Sequence, residues 1–379
     1  MGRPAIKIGV LTSSRADYGI YLPLLRVLES DPAFNIELLV FGTHMSEKYG
    51  MTINEIRKDG FSIYTTLDTM PVDDGPGSIA RSMGKTITEF TGIWNDRRYD
   101  YVIALGDRYE MFAAVASTVP YNIRVAHIHG GETTRGAIDN AFRHSISHMS
   151  DIHFAACDQY AERLTNMLDQ GIMKVYNVGA LSIDSLSRVK FYSPGEFLKN
   201  YSIDLLKPFL LVTFHPETIG YSENRIYIRE LISALGEAND RGIVITMPNA
   251  DTGSQVIREA FESFASRDKR VTIIENFGPR AYLTCMKYCS MMVGNSSSGF
   301  IEASFFPKPV INLGMRQDGR IRTPNIIDCD IKKDKIIESI RDAGRMVAGE
   351  KVKIYGTGDT SVKISEVLKD NYSKAEKDD

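Results

Sequence analysis

The sequence predicts an α/β fold in two doubly wound halves, and three features predict it. Short apolar runs alternate with amphipathic stretches of helical period, the alternation lapses near the middle of the chain, and it then restarts on the same plan. Lys7 to Leu11 is the first apolar run; the polar loop Thr12 to Asp17 follows, then an amphipathic stretch from Tyr18 to Leu28. The unit recurs as Ile36 to Phe41 with Ser46 to Arg57, Tyr101 to Leu105 with Tyr109 to Thr118, and Val125 to Ile128 with Ile138 to Ser150. Runs this short and this uniformly apolar are parallel strands covered on both faces by crossover helices. Asp68 to Ser78, with Pro71, Gly75, Pro76 and Gly77, reads as a flexible loop of the kind that often serves as a lid.

Between Leu186 and Pro208 the rhythm fails, through Ser193-Pro194-Gly195 and Lys207-Pro208, which places a first domain at 1–187 and a second at 205–357. The second half runs through Phe209 to Phe214, Ile243 to Met247, Val271 to Ile274, Met291 to Val293 and Val310 to Leu313. Ligands of open α/β sheets lie beyond the carboxyl ends of the strands, so loops of both halves are expected to converge on a crevice.

Composition narrows the partners. With 379 residues and 43% apolar content the chain can fill two cores, since one core stops growing near ~250–300 residues. A net charge of −3 and a pI near 6.2 give no footprint for nucleic acid or an anionic membrane, so an anionic ligand has to be met locally. No apolar stretch approaches the ~18 residues of a membrane-spanning helix. Cys157, Cys285, Cys289 and Cys329 have neither paired metal spacing nor the density of a secreted scaffold, and fit a reduced cytoplasm.

The loops after the apolar runs hold the candidates. Gly294-Asn295-Ser296-Ser297-Ser298-Gly299 sets three hydroxyls before an expected helix start, which suits a diphosphate; the alternative is plain capping by Ser296 or Ser297. Gly106-Asp107-Arg108 puts Asp107 either as a helix cap or as an acid or base, with Arg108 toward phosphate. In His127-Ile128-His129-Gly130-Gly131-Glu132, strand alternation puts both imidazoles on one side, with His129 the functional candidate and His127 a hydrogen-bonded core residue. His144 and His148 have helical ligand spacing but lack the intervening Glu of a zinc peptidase, so no metal is expected. Pro216 keeps His215 extended.

In these loops the chain resembles the hydrolysing UDP-N-acetylglucosamine 2-epimerases, sialic-acid-pathway enzymes that release UDP and N-acetylmannosamine. Ser14-Arg15-Ala16-Asp17-Tyr18, Gly106-Asp107-Arg108, the His127 to Glu132 stretch with Asp139 and Arg143-His144, Phe214-His215-Pro216-Glu217-Thr218, Asn249 to Ser254, the serine loop, and Asn312 to Gln317 carry the resemblance in one collinear order. It implies a GT-B-like fold of two Rossmann-like domains with a final helix, about 358–373, crossing back onto the first. It implies no cofactor and no metal, a UDP-sugar substrate, and a homodimer or homotetramer. UDP contacts carried over fall on Arg15, Arg108, His215, Asn249, Asp251, Ser254, Ser296, Ser297, Glu302 and Arg316. The acid/base candidates fall on Asp107, His129, Glu132, Asp139 and His215. Some members carry Glu at the place of His129, so either His129 or Glu132 takes that role.

The chemistry suits such residues. The C2 hydrogen of an N-acetylhexosamine has no neighbouring carbonyl to acidify it, and departure of UDP from C1 makes it removable. Elimination to a glycal and addition of water with inversion at C2 need a base, an acid and a hold on the leaving diphosphate. Other readings are a relative acting on a 2,4-diacetamido-2,4,6-trideoxy sugar, a non-hydrolysing epimerase, a GT-B glycosyltransferase, and a nucleotide-sugar-binding module without catalysis.

Overall fold

The computed structural model describes residues 4–168, 173–238, 240–249, 251–346 and 349–378. Its contacts divide the chain into two units, Met1–Glu132 with Asp139–Ser187 and Ile354–Asp379, and Thr133–Ile138 with Arg188–Lys353.

The first unit is a seven-stranded parallel sheet of β1 (Ile6–Thr12), β2 (Phe34–Phe41), β3 (Ile63–Leu67), β4 (Tyr101–Leu105), β5 (Val125–Ile128), β6 (Ile152–Ala155) and β7 (Lys174–Asn177). The order β3-β2-β1-β4-β5-β6-β7 reverses direction between β1 and β4, where a doubly wound sheet opens its crevice. Both faces are covered. Tyr21, Leu24 and Leu28 pack with Ile364 and Leu368 on one side, and Phe90, Trp94 and Met111 with Ile146 on the other. The final helix, Thr360–Asp378, is tied here by Asp184, whose buried carboxylate accepts from Thr360 N at 3.0 Å, Ser361 N at 2.7 Å and Ser361 Oγ at 2.6 Å. A carboxylate on the first free N–H groups of a helix satisfies donors the helix cannot satisfy itself and opposes its dipole.

Three local expectations are corrected. Ser46 to Arg57 is not one helix: a 3-10 turn at Glu47–Tyr49 ends at Gly50, whose φ of 91° is left-handed, and the helix proper is Ile53–Asp59. The loop from Asp68 stops at Gly75, because Pro76 opens a 21-residue helix to Asp96 at the one position where its missing N–H costs nothing. The helix expected from Ile138 is Asp139–His148.

The second unit is a six-stranded parallel sheet of β8 (Phe209–Thr213), β9 (Gly242–Thr246), β10 (Val271–Ile274), β11 (Met291–Gly294), β12 (Val310–Leu313) and β13 (Ile326–Cys329), ordered β10-β9-β8-β11-β12-β13. Its direction reverses between β8 and β11. The helix Pro194–Tyr201 belongs here through Phe197, which is fully buried among Leu205, Phe209 and Phe277. Thr133–Ile138 joins the same unit: Arg135 N–H donates to Asp318 O at 3.0 Å and Ile138 N–H to Thr218 Oγ1 at 2.9 Å. Gly136 lies so close to the Met315 backbone that a Cβ there would collide with it.

Candidate active-site residues

In the first unit the loops after β1, β4 and β5 surround the reversal of strand order, and a single guanidinium connects the last two. Arg143, 2% exposed on the helix Asp139–His148, donates to the Asp107 carboxylate, to His129 O at 2.9 Å and to Glu132 Oε2 at 3.3 Å. The other Glu132 oxygen, Oε1, lies 2.6 Å from His129 Nδ1. Four polar side chains from two loops and one helix thus form one network, buried except at the half-buried Asp107. Asp107 is not a helix cap, for the helix that follows starts at Tyr109 with no side-chain cap, and its carboxylate is committed to Arg143.

The strand-alternation reading of His129 fails. β5 ends at Ile128, His129 N–H donates to Phe154 O at 3.0 Å, and its φ of 64° is left-handed, so its ring direction is set by a turn. His127 is the core imidazole, with ring nitrogens 3.1 Å from Ser147 Oγ and 2.8 Å from Gly106 O. Burial pushes it down to about 3, and His153, its register partner on β6, to about 4, from the ordinary 6.5.

Arg108 is placed otherwise than expected. Its Nε and NH2 hold the buried Glu110 at 3.1 and 2.9 Å, so the guanidinium already has a carboxylate. Arg15 opens the helix Arg15–Ser30, half-buried, beside Asp17. Asp17 is a loop staple: it accepts from Thr12 Oγ1 at 2.7 Å and from Ser13 N and Oγ, both at 2.9 Å. Burial raises its carboxyl, and His44 with the loop donors more than offsets this, leaving it below the ordinary value. Asp139 is half-buried at the start of its helix.

In the second unit the organiser is Asn295, fully buried at the start of the serine loop. It accepts from His215 N at 2.7 Å, donates to His215 O at 2.8 Å, and its own carbonyl accepts from Gln317 Nε2 at 2.8 Å and Arg316 NH1 at 3.3 Å. Asp251 Oδ2 lies 3.9 Å from His215 Nδ1 and 3.7 Å from Arg316 NH2. His215, Asp251 and Arg316 are therefore gathered from three loops. Gly294, with φ of 146°, allows the approach: a Cβ there would collide with Thr213 O.

The serine loop itself departs from expectation. It leads into a 3-10 turn, Ser297–Gly299, and a four-residue helix, Glu302–Phe305, too short to bring a helix dipole to bear. Ser296 Oγ accepts from Ser298 N at 3.4 Å, as the capping alternative proposed, and lies 3.0 Å from Ser298 Oγ, which in turn is 2.6 Å from Tyr282 OH. The hydroxyls are held by one another. Ser297 and Glu302 are half-buried nearby in sequence, and Asn249 is half-buried after β9; Ala250 lies outside the described residues. Ser254, 1% exposed, opens the 14-residue helix Ser254–Arg267 behind Gly253.

Arg143, Asn295 and Tyr282 were not among the sequence candidates for a site role. Arg143 stands four residues after Asp139 and so shares its helix face, a usable signal; Tyr282 sits on an apolar helical face and gives none. Among the described residues no three His, Cys, Asp or Glu are grouped to hold a metal, and no helix is long and apolar enough to cross a membrane.

The chain is similar to known proteins. The chain is 33% identical over 363 residues to a hydrolysing UDP-N,N′-diacetylbacillosamine 2-epimerase of Legionella pneumophila, covering 96% of this chain and 95% of that one. It is 35% identical over 335 residues to polysialic acid biosynthesis protein P7 of Escherichia coli, covering 88% and 85%. A UDP-GlcNAc 2-epimerase of Neisseria meningitidis, solved with UDP-GlcNAc bound, shares the fold with a TM-score of 0.76 at 19% identity, covering 96% of this chain and 99% of that one. The model of the family described as UDP-N-acetylglucosamine 2-epimerase matches residues 26–369, and the chain belongs to that family.

Proposed function

We propose that this chain is a hydrolysing 2-epimerase of a UDP-linked 2-acetamido sugar, with UDP-N,N′-diacetylbacillosamine the first-choice substrate. The observation that carries the reading is the network of half-buried Asp107 with buried His129, Glu132 and Arg143, which offers carboxylate and imidazole groups for proton transfer. The activity for which the Legionella relative is named, matched along nearly its whole length, favours the diacetylated sugar.

The first unit supplies proton transfer and the second the hold on the nucleotide. An α-linked diphosphate stands anti to the C2 hydrogen, so as a base takes that proton the C–H pair becomes the C1=C2 bond and the C1–O pair leaves with UDP. Arg316 and the serine hydroxyls stabilise the charge that develops on the leaving diphosphate. Water then adds its oxygen to C1 and loses a proton, while C2 is protonated on the opposite face. Asp251 and Glu302 are acceptors suited to nucleoside hydroxyls.

A second reading takes UDP-GlcNAc as substrate and N-acetylmannosamine as product, and the likeness to a polysialic acid biosynthesis protein favours it. Parallel incubations with both nucleotide sugars decide. The first choice predicts UDP release with kcat/KM about tenfold or more higher for the diacetylated sugar, the scale on which a pocket separates such substituents. Faster release from UDP-GlcNAc reverses the choice of sugar. A UDP-linked epimer identifies a non-hydrolysing enzyme, and transfer to an added acceptor a glycosyltransferase.

A further inference from the structure

We infer that Nε2 of His129 is the atom that moves a proton in this reaction, and that Glu132 is the positioning residue that presents it; the inference rests on the 2-epimerase reading. Glu132 has both oxygens engaged, Oε1 at 2.6 Å from His129 Nδ1 and Oε2 at 3.3 Å from Arg143 NH1, with the carboxylate 2% exposed. To serve as base itself it would have to abandon both. A ring nitrogen that faces a carboxylate carries the proton, so Nδ1 is the N–H and Nε2 keeps its lone pair. His129 is 6% exposed, and its Nε2 is buried with no partner among the described residues.

His127, two residues earlier, is the internal control. Its backbone is ordinary strand, and both its ring nitrogens have partners, Ser147 Oγ and Gly106 O. His129 has the reverse arrangement, one ring nitrogen held and the other open, on a left-handed backbone at φ 64° that is unfavourable for a non-glycine residue. The turn is held in place regardless. Gly131, at φ 77°, lies where a Cβ would collide with Tyr160 O, and its carbonyl accepts from Arg163 NH1 at 2.6 Å. That turn folds Glu132 back onto the His129 ring. The result is a carboxylate–imidazole dyad whose outer nitrogen is left available.

As base, Nε2 takes the C2 proton while the C–H electron pair forms the glycal double bond and UDP departs with the C1–O pair. Glu132 then faces an imidazolium and stabilises it. Inversion at C2 needs proton transfer on both faces, so a second group, for which Asp107 is the candidate in the same network, serves the other.

The test is nitrogen-15 NMR of the histidine-labelled full-length protein together with steady-state kinetics. The neutral His129 ring is expected as the Nδ1–H tautomer. Glu132→Gln should lower kcat about 10–100-fold with KM unchanged and should shift the His129 ring signals, the size of effect seen when an orienting partner is lost. Glu132→Asp should recover part of that rate. His129→Gln should lower kcat by on the order of 10³-fold or more. An Nε2–H tautomer in the wild type overturns the inference, as does a Glu132→Gln loss equal to that of His129→Gln with the ring signals unmoved. The tautomer is read without turnover; failure of the 2-epimerase reading shows separately, as absence of UDP release by the wild type.

Discussion

In the first unit the loops beyond the sheet are tied by charge, with Arg143 joining Asp107, Glu132 and the His129 backbone. In the second they are tied by a neutral amide, with Asn295 clamping both backbone groups of His215 and receiving Gln317 and Arg316 on its carbonyl. The difference matches the chemistry proposed for each unit. Proton transfer needs titratable groups held close together, and an opposite charge makes a buried carboxylate and a half-buried one tolerable neighbours. Holding a nucleotide needs donors and acceptors at fixed positions, and an amide fixes loops without adding a charge for the diphosphate to contend with.

The largest way to break this comparison is Arg143→Met. Removing one partner of a buried ionic network leaves the others unpaired, so unfolding of the protein in urea should show a loss of about 3–5 kcal/mol, together with loss of turnover. A loss below about 1 kcal/mol would mean that the network is not what holds the β4 and β5 loops.

Acid sharpens the same contrast, because six of the seven histidines lie in the first unit. His127 and His153 have folded-state values near 3 and 4, below the ordinary 6.5, so the unfolded chain takes up protons first as pH falls. What these two residues contribute to stability is complete above about pH 6.5 and is lost as pH falls toward 4 and then 3, by on the order of a few kcal/mol. Calorimetry across that range should show the decline flattened in a His153→Phe variant. An unchanged slope would contradict the account.

Asn295→Ala is the counterpart in the second unit. It removes two hydrogen bonds to the His215 backbone and leaves buried groups unsatisfied, a cost of about 1–3 kcal/mol. Calorimetric titration should find UDP bound about 10–100-fold more weakly. Tyr282→Phe is the smallest change, the loss of one hydroxyl from Ser298, worth about 1 kcal/mol and a several-fold weaker Kd for UDP. Unaltered UDP affinity in both variants would remove the second unit's assigned role.

The central strands were legible because β1, β4, β5, β8 and β12 are mostly apolar runs, as strands covered on both faces are. The edges were not. β3 (Ile-Tyr-Thr-Thr-Leu) and β7 (Lys-Val-Tyr-Asn) are only partly buried and carry polar residues, so no apolar run announces them. β6 (Ile-His-Phe-Ala) is fully buried and as short as β5, and it was not among the expected strands. At the candidate site, the strand-end rule located Asp107, His129, Glu132, His215 and Arg316. It could not say that Arg108 is spent on Glu110 two residues away, or that Arg143 and Tyr282 reach in from helices, because those facts depend on which way side chains turn after the backbone is fixed.

The most direct test of the central claim is a single incubation in D2O with UDP-N,N′-diacetylbacillosamine and UDP-GlcNAc in separate tubes, followed by phosphorus and proton NMR. The account predicts free UDP and a free sugar of inverted configuration at C2, with one deuterium at that carbon. A sugar still linked to UDP, or UDP released with the original hydrogen retained at C2, would contradict it.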